Sequence, residues 1–423
     1  MIFRKFLIVA GNKFLAAYRA FLVAVSADGG VAEAQVYTDK LLQTATNASI
    51  VQIPSAYKAT VLYNQVPTPT GQDFTVARAS DVTRINEDGV LEVIGSNVPC
   101  IDYSDGFPVL LTQPQSTNLI TYSEDFSNAA WTKAASVSII PNFSISPSGN
   151  LDATQLTVTT VNQGILQNFT SLNSLYTATI YLKTATGTVD LQFGFFDGTT
   201  TQTDTITVTD TWTRFEVSKT LLAFGASRFW IYPGASGTKV VEVYGAQLEQ
   251  LSYPTSYIPT SGATATRLGD VISGAGSTAS INSEEGVLHL ETAMLANDGL
   301  NKRVSISDGT GANYVDIIFS ATANRVSFTF VENSVFFVSK NIDIADVTIN
   351  HIYDFKWKLN DVEIFIDGVS VATDFSVTVP AANTFDRLNL DFYTTVTPLL
   401  ARTKQLRVYS SIAAAQIDLP YIT

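Results

Sequence analysis

From residue 118 onward, apolar positions recur every second residue in short runs. "YTATIYLKT", "VDLQFGFFD", "DTITVTD", "WTRFEVSKTL", "SRFWIYPG" and "KVVEVYGAQLE" are rich in threonine, valine and aromatics and are bounded by turn residues. In the first, Tyr176, Ala178, Ile180 and Leu182 share one face, and Thr177, Thr179 and Lys183 the other. That is the period of a strand. No helical run interrupts the series, so residues 118–268 predict a β-sandwich or jelly roll. A second set begins near residue 281. Its clearest pair is "HIYDFKWKL" and "VEIFIDGVSV", joined at Asn360-Asp361, with Asp367-Gly368 as the next turn. Tyr353, Phe355, Trp357 and Leu359 alternate with Asp354, Lys356 and Lys358, which predicts a second sandwich over 281–423. The small, polar, Gly-rich stretch "SGATATRLGDVISGAGSTAS" lies between the two, and residues 269–280 are expected to be the interdomain linker.

The chain before residue 118 differs. Phe14, Tyr18, Phe21 and Val25 recur at spacings of four, three and four, suiting one helix face, although a strand over 20–26 also fits. Asp28-Gly29-Gly30 breaks the pattern, and "VAEAQVYTDKLLQTAT" reads as a second helix with Val36, Tyr37, Leu41 and Leu42 inward. These elements are too small for an independent core and read as a docking module over 1–71, closed by "VPTPTG". Two alternating runs about Glu87-Asp88-Gly89 suggest a hairpin in a β-rich neck, residues 72–117. The expected fold class is mainly β: a small α-containing N-terminal docking module, a β neck and two β-sandwich (jelly-roll) domains.

Composition narrows the function. At 423 residues with 46% hydrophobic content the chain can bury more than one core. Asp+Glu 38 against Lys+Arg 25 gives a net charge of -13, which disfavours nonspecific attraction to nucleic acid. Cys100 is the only cysteine, so an intrachain disulfide cannot form and a cysteine-based zinc site lacks ligands. In "MIFRKFLIVAGNKFLAAYRAFLVAV", Arg4, Lys5, Lys13 and Arg19 interrupt the apolar run, so no membrane insertion is expected. An apolar arm buried against another subunit fits it better.

Three strings carry a family resemblance: "DFTVARASDVTRINEDGVLEVIGSNVPCIDY", "LLTQPQSTNLITYSEDFSNAAWTK" and "VYGAQLEQLSYPTSYIPTSGATATR". Together they resemble structural proteins of tailed bacteriophages, both head fibres and tail fibres, over about residues 55–270. In that family the middle section is similar to carbohydrate-binding jelly rolls. Two departures stand out: Gln115-Ser116 precedes the Thr-Asn where related strings often have an arginine, and Cys100 stands where an arginine is also common. Residues 281–423 resemble, more loosely, concanavalin A-like or laminin-G-like sandwiches, chiefly through "HIYDFKWKLNDVEIFIDGVSV". The resemblance implies a virion surface protein assembled in the bacterial cytoplasm. It also implies a homo-oligomer, with the trimer that fibre proteins of this kind often form as the expected stoichiometry, and a structural calcium ion for which scattered aspartates such as Asp125 and Asp152 leave room.

Signatures of catalysis are sparse. The two histidines, His289 and His351, sit in strand patterns and form no His-Glu-x-x-His pair. No Glu-x-Asp-x-x-Glu strand occurs, and Glu284-Glu285, being adjacent, point to opposite faces. No Gly-x-Ser-x-Gly elbow occurs, and "SDGTGANYVD" reads as a hairpin turn. Sequons at Asn47, Asn142 and Asn168 carry little weight if, as the resemblance implies, the protein is made in bacteria. The sharper candidate is "SRFWIYPG". There Phe229 and Ile231 share one face, leaving Arg228, Trp230 and Tyr232 on the other, so one strand carries aromatics on both sides of its sheet. Sugars bind flat aromatic faces beside a few polar groups, although a second core layer or a subunit contact uses the same residues.

The reading that follows is a non-enzymatic phage structural protein, a head fibre or capsid-decorating protein, displaying sandwiches that attach weakly and multivalently to glycans. Phe14, Tyr18, Phe21 and Val25 would dock it to other virion proteins. The rivals are a tail-fibre adhesin, a polysaccharide depolymerase, and a purely structural cement between capsomers.

Overall fold

A computed structural model of the chain describes residues 47–52, 57–58, 61–62, 73–392 and 397–422. Phe14, Tyr18, Phe21 and Val25 lie outside the described residues, as does most of segment 1–71. The described chain is mainly β, with a short helix at Ile412–Asp418.

The first sandwich stacks two five-stranded sheets. One runs Thr132–Lys133, Ile165–Ser171, Phe224–Tyr232, Val189–Phe196, Thr201–Val208; the other runs Val137–Ile145, Leu151–Val158, Lys239–Glu249, Ser174–Lys183, Thr213–Leu221. Between them lies a core holding Phe126, Trp131, Tyr176, Phe193, Phe195 and Phe229. Tyr176, Ala178, Ile180 and Leu182 enter this core as their alternation predicts. Thr177 and Thr179 are nonetheless buried too, because the chain near residues 251–257 crosses their face: Thr177 Oγ1 donates to the Leu251 carbonyl at 2.8 Å, and Arg214, bonded to the Thr255 carbonyl, also donates to Thr179 Oγ1.

The second sandwich pairs a five-stranded sheet (Val335–Asp343, Arg325–Glu332, Tyr314–Phe319, Lys302–Ser307, Arg387–Asn389) with an eight-stranded one. The larger sheet runs Val369–Asp374, Val362–Ile366, His351–Lys358, Glu285–Met294, Ala401–Tyr409, Val109–Leu111, Ile101–Asp102, and Ile50–Gln52 also pairs with Ala401–Tyr409. Tyr353, Phe355 and Trp357 point into the core, whereas Leu359 falls past the strand end and is 56% exposed. The Asp367-Gly368 turn has φ of 52° and 76°, the pair of positive values that a type I′ hairpin needs. Ile412–Asp418 caps the outer face, with Ser411 Oγ accepting from the Ala414 amide and Ile412 and Ala415 packing on Val287, Phe365 and Tyr409.

The neck and the expected linker do not stand apart as separate segments. Ile101 and Leu110 of the neck, with Phe74 and Val76, belong to the second sandwich's core. Within 269–280, Val271–Ser273 pairs with Thr75–Ala77, Ala275 bridges to Leu388, and Ile272 and Ala275 are buried. A Gly-rich composition here serves tight turns, with Gly274 and Gly276 at φ of 80° and 92°, rather than a free tether. The hairpin about Gly89 forms as expected, pairing Val82–Ile85 with Leu91–Ile94.

The strings that carry the family resemblance are spent on this architecture. Asn118 Nδ2 donates to the carbonyls of Ala246 and Ile258, and its Oδ1 accepts from the amides of Ile120 and Leu248, which uses the full capacity of a buried amide. Glu249, fully buried, accepts from Ser116 Oγ at 2.6 Å and from the Thr255 amide at 3.0 Å. Tyr257 donates to Ser123 Oγ at 2.6 Å, and burial pushes its phenol well above the usual tyrosine range. A polar zipper closes the first sandwich where a hydrophobic seam would suffice elsewhere.

Candidate glycan-binding face

The strand Phe224–Tyr232 is central in its sheet, and its two faces differ. Phe229 and Ile231 are fully buried in the core, while Arg228, Trp230 and Tyr232 lie on the outer face. The register sets their neighbours. Arg228 lies between Asn168 and Phe196, Trp230 between Leu166 and Gly194, and Tyr232 beside Gln192. One strand further out, Thr201, Thr203 and Thr205 oppose Phe196, Gly194 and Gln192. The outer face therefore carries an aromatic and cationic spine flanked by amides and a threonine ladder.

The three residues singled out by the sequence do not play equal parts. The rings of Trp230 and Tyr232 sit 4.2 Å apart at 35°. Tyr232 keeps only 8% of its surface, so it backs Trp230 rather than offering a platform of its own. Its hydroxyl lies 3.4 Å from Thr203 Oγ1, which also donates to Gln192 Oε1 at 3.1 Å; Gln192 Nε2 donates in turn to Thr205 Oγ1 at 2.7 Å. These bonds fix the orientation of the polar groups around the ring. Trp230 is only partly buried, and its indole N–H has no partner among the described residues. By contrast, the indoles of Trp131 and Trp212 donate to the carbonyls of Tyr122 and Ile145. Gly194, the strand partner of Trp230, allows the strand Thr201–Val208 to approach closely, since a Cβ there would meet the Gln202 carbonyl oxygen at 2.3 Å.

Arg228 lays its guanidinium over the Phe196 ring at 4.8 Å. Phe196, Gln192 and the threonines are functional candidates that sequence reading missed. Each strand's alternation was visible, but the register that brings three strands together was not.

Carboxylates on this sheet are already engaged. Asp190 accepts from Thr207 Oγ1, Asp204 pairs with Lys219 at 2.6 Å, and Asp197 accepts from the amides of Thr199 and Thr200 and from Gln202 Nε2. Burial would raise Asp197, but the hydrogen bonds from Thr200, Thr199 and Gln202 outweigh it and hold the carboxyl below its ordinary value. That favours a fixed anion, the reverse of the raised acid that glycoside cleavage uses.

The remaining candidates resolve into structural contacts. His289 Nδ1 lies 2.6 Å from Asp354, whose other oxygen accepts from Tyr421, and His351 bonds Asp367 and the Asp346 carbonyl. Glu285 pairs with Lys358 at 3.0 Å, Asp125 accepts from Ser127, and Asp152 from Ser148. Among the described residues no group of three or more His, Cys, Asp or Glu side chains is arranged to hold a metal ion. Cys100 is buried, and burial pushes its thiol up to about 12. No helix among the described residues is long and apolar enough to cross a membrane.

No family model matches the chain, and no curated protein matches it in sequence. Among solved structures it is similar to the CBM22-1 xylan-binding domain from Paenibacillus barcinonensis (15% identity, 34% of this chain and 99% of that one, TM-score 0.27). It is also similar to the carbohydrate-binding module CBM66 from Bacillus subtilis (15%, 33% and 80%, TM-score 0.25) and to a Bacillus licheniformis β-glucanase (20%, 34% and 72%, TM-score 0.27).

Proposed function

We propose that the protein is a non-enzymatic glycan binder whose contact surface is the outer face of the strand Phe224–Tyr232. One observation carries this reading: Trp230 is a partly exposed indole backed by Tyr232, with an unspent N–H donor and a ring of oriented amide and hydroxyl groups beside it. Stacking on a flat aromatic together with a few fixed polar contacts is how proteins hold sugars. Binding at one such open face is weak, so useful attachment comes from many copies acting together.

The setting we propose for it is the surface of a bacteriophage virion, as a head fibre or decoration protein, with a tail-fibre adhesin as the alternative. The support is the resemblance of residues 55–270 to structural proteins of tailed phages. Residues 1–71 would attach the protein to its neighbours in a homo-oligomer.

A glycan array probed with the full chain and with Trp230→Ala tests the binding reading. Signals on polysaccharide that vanish in the variant support it; an identical pattern from both proteins sinks it. Immunogold labelling of residues 281–423 on intact particles tests the setting. Label over the head supports a capsid fibre, label at the tail tip the adhesin, and no label on particles removes the virion reading.

A further inference from the structure

We infer that this face takes an acidic glycan, one whose sugar units carry carboxylates, and that Arg228 is the group that recognises the charge. The inference rests on the reading above that Trp230 stacks on a sugar, and it names the class of sugar.

Arg228 is the exception among the described arginines. Its guanidinium makes no hydrogen bond or ion pair among the described residues, and its side-chain contact is the Phe196 ring. Every other described arginine is engaged through at least one polar contact. Arg78 pairs with Asp270, Arg84 with Glu92, Arg303 with Asp316, Arg325 with Asp343, Arg387 with Asp386 and Arg402 with Asp102. Arg214 and Arg267 donate to carbonyls and Arg407 to a tyrosine hydroxyl.

In a chain with Asp+Glu 38 against Lys+Arg 25, carboxylate partners are plentiful. The three aspartates of the two neighbouring strands and their turn are nevertheless taken by other donors: Asp190 by Thr207, Asp197 by Thr199, Thr200 and Gln202, and Asp204 by Lys219. Among the described arginines Arg228 is thus left without a polar partner, on the same face as the partly exposed indole of Trp230.

The geometry suits a carboxylate. The guanidinium lies 4.8 Å from the Phe196 ring centroid with its N–H donors unspent, and a planar fork of this kind matches a carboxylate through two parallel hydrogen bonds. Arg228 and Trp230 are two residues apart on one strand face, about 7 Å along the chain. A sugar stacked on the indole therefore brings a substituent of its own ring, or of the next, within reach of the fork. Phe196 also limits the cost of ordering the long side chain, because the arginine is already placed before the ligand arrives.

The test measures affinity of the full chain for galacturonate oligomers, for the same oligomers after carboxyl reduction, and for sulfated galactan oligomers, at low and at high ionic strength. The expected result is about tenfold tighter binding of the uronate than of its reduced form. That preference shrinks with salt and falls to near unity in Arg228→Gln, with folding of the variant checked by its melting temperature. Equal affinity of the wild-type chain for the uronate and its reduced form overturns the inference while leaving the stacking reading intact, and so does an undiminished preference in Arg228→Gln. Tighter binding of the sulfated chain overturns the assignment to carboxylates. If none of the three binds and Trp230→Ala changes nothing on the array, the stacking reading itself fails and the inference with it.

Discussion

The guanidinium of Arg78 meets the carboxylate of Asp270 at 2.8 Å with both side chains buried, across 192 residues of chain. Arg78 also donates to the carbonyls of Ser80, Gly95 and Val98, and the second Asp270 oxygen accepts from the Gln113 amide at 2.9 Å. Arg267 approaches the same carboxylate at 3.8 Å. This cluster ties the segment before the first sandwich to the segment after it, so the chain enters and leaves that sandwich through one fixed point.

Removing one member of the cluster leaves the others charged and buried. Asp270→Ala should therefore lower stability by about 3–5 kcal/mol, whereas losing a surface pair such as Arg325 with Asp343 should have a far smaller effect. Urea unfolding of Asp270→Ala and Asp343→Ala checks the contrast. Equal effects would mean that the junction is not under load.

The tryptophans should separate stability from binding. Trp131 is 1% exposed, packs on Phe126 and Phe229 and donates to the Tyr122 carbonyl, so Trp131→Ala should cost about 3–5 kcal/mol. Trp230 lies outside that core, and Trp230→Ala should shift stability by about 1 kcal/mol or less while abolishing glycan capture. Thermal melts beside array binding read both quantities. A large melting shift for Trp230→Ala would make it part of a second core layer.

How much of this was legible depended on whether the cause was local. Tyr353, Phe355 and Trp357 alternate, and Asp367-Gly368 is a turn by its residue types alone, so both were readable. Thr177 and Thr179 looked like a solvated face because the cover comes from residues near 251–257, which no local pattern announces. Residues 269–280 looked like a tether because Gly and Ser dominate, yet Val271–Ser273 finds its strand partner at Thr75–Ala77. No local pattern announces that Arg78 and Arg267 converge on Asp270. At the candidate face the alternation separated Arg228, Trp230 and Tyr232 from the core, but the burial of Tyr232 and the nearness of Phe196 and Gln192 follow from register.

Asp316 should give stability an unusual pH dependence. It is fully buried on the strand Tyr314–Phe319; burial raises its carboxyl to about 7, and Arg303 at 3.0 Å only partly offsets this. The folded state therefore holds the proton more tightly than the unfolded chain, whose aspartates titrate near 4. The contribution is fully present below about pH 4 and is lost as pH rises through about 7, by an amount of about 2–4 kcal/mol. Asp316→Asn should flatten that slope between pH 4 and 7. Parallel stability curves for the two proteins over this range would show that the carboxyl ionises freely in the fold.

Asn118 offers the sharpest test of why the resembling strings are there. Its side chain satisfies two carbonyls and two amides at once, joining the chain after the neck to the strand Lys239–Glu249 and to Ile258. Asn118→Ala strips all four groups of their partner in a site with no exposure, at about 1–3 kcal/mol for each group that finds no water. Asn118→Asp keeps the shape and both acceptor contacts but turns the donor side into an oxygen facing the carbonyls of Ala246 and Ile258. It should therefore be at least as damaging as alanine despite being nearly isosteric, and its deficit should lessen at low pH, where the carboxyl regains a proton to donate. Melting temperatures of both variants at neutral and acid pH decide it. A tolerated aspartate would mean that the amide is not the clasp and that the string is kept for something other than folding.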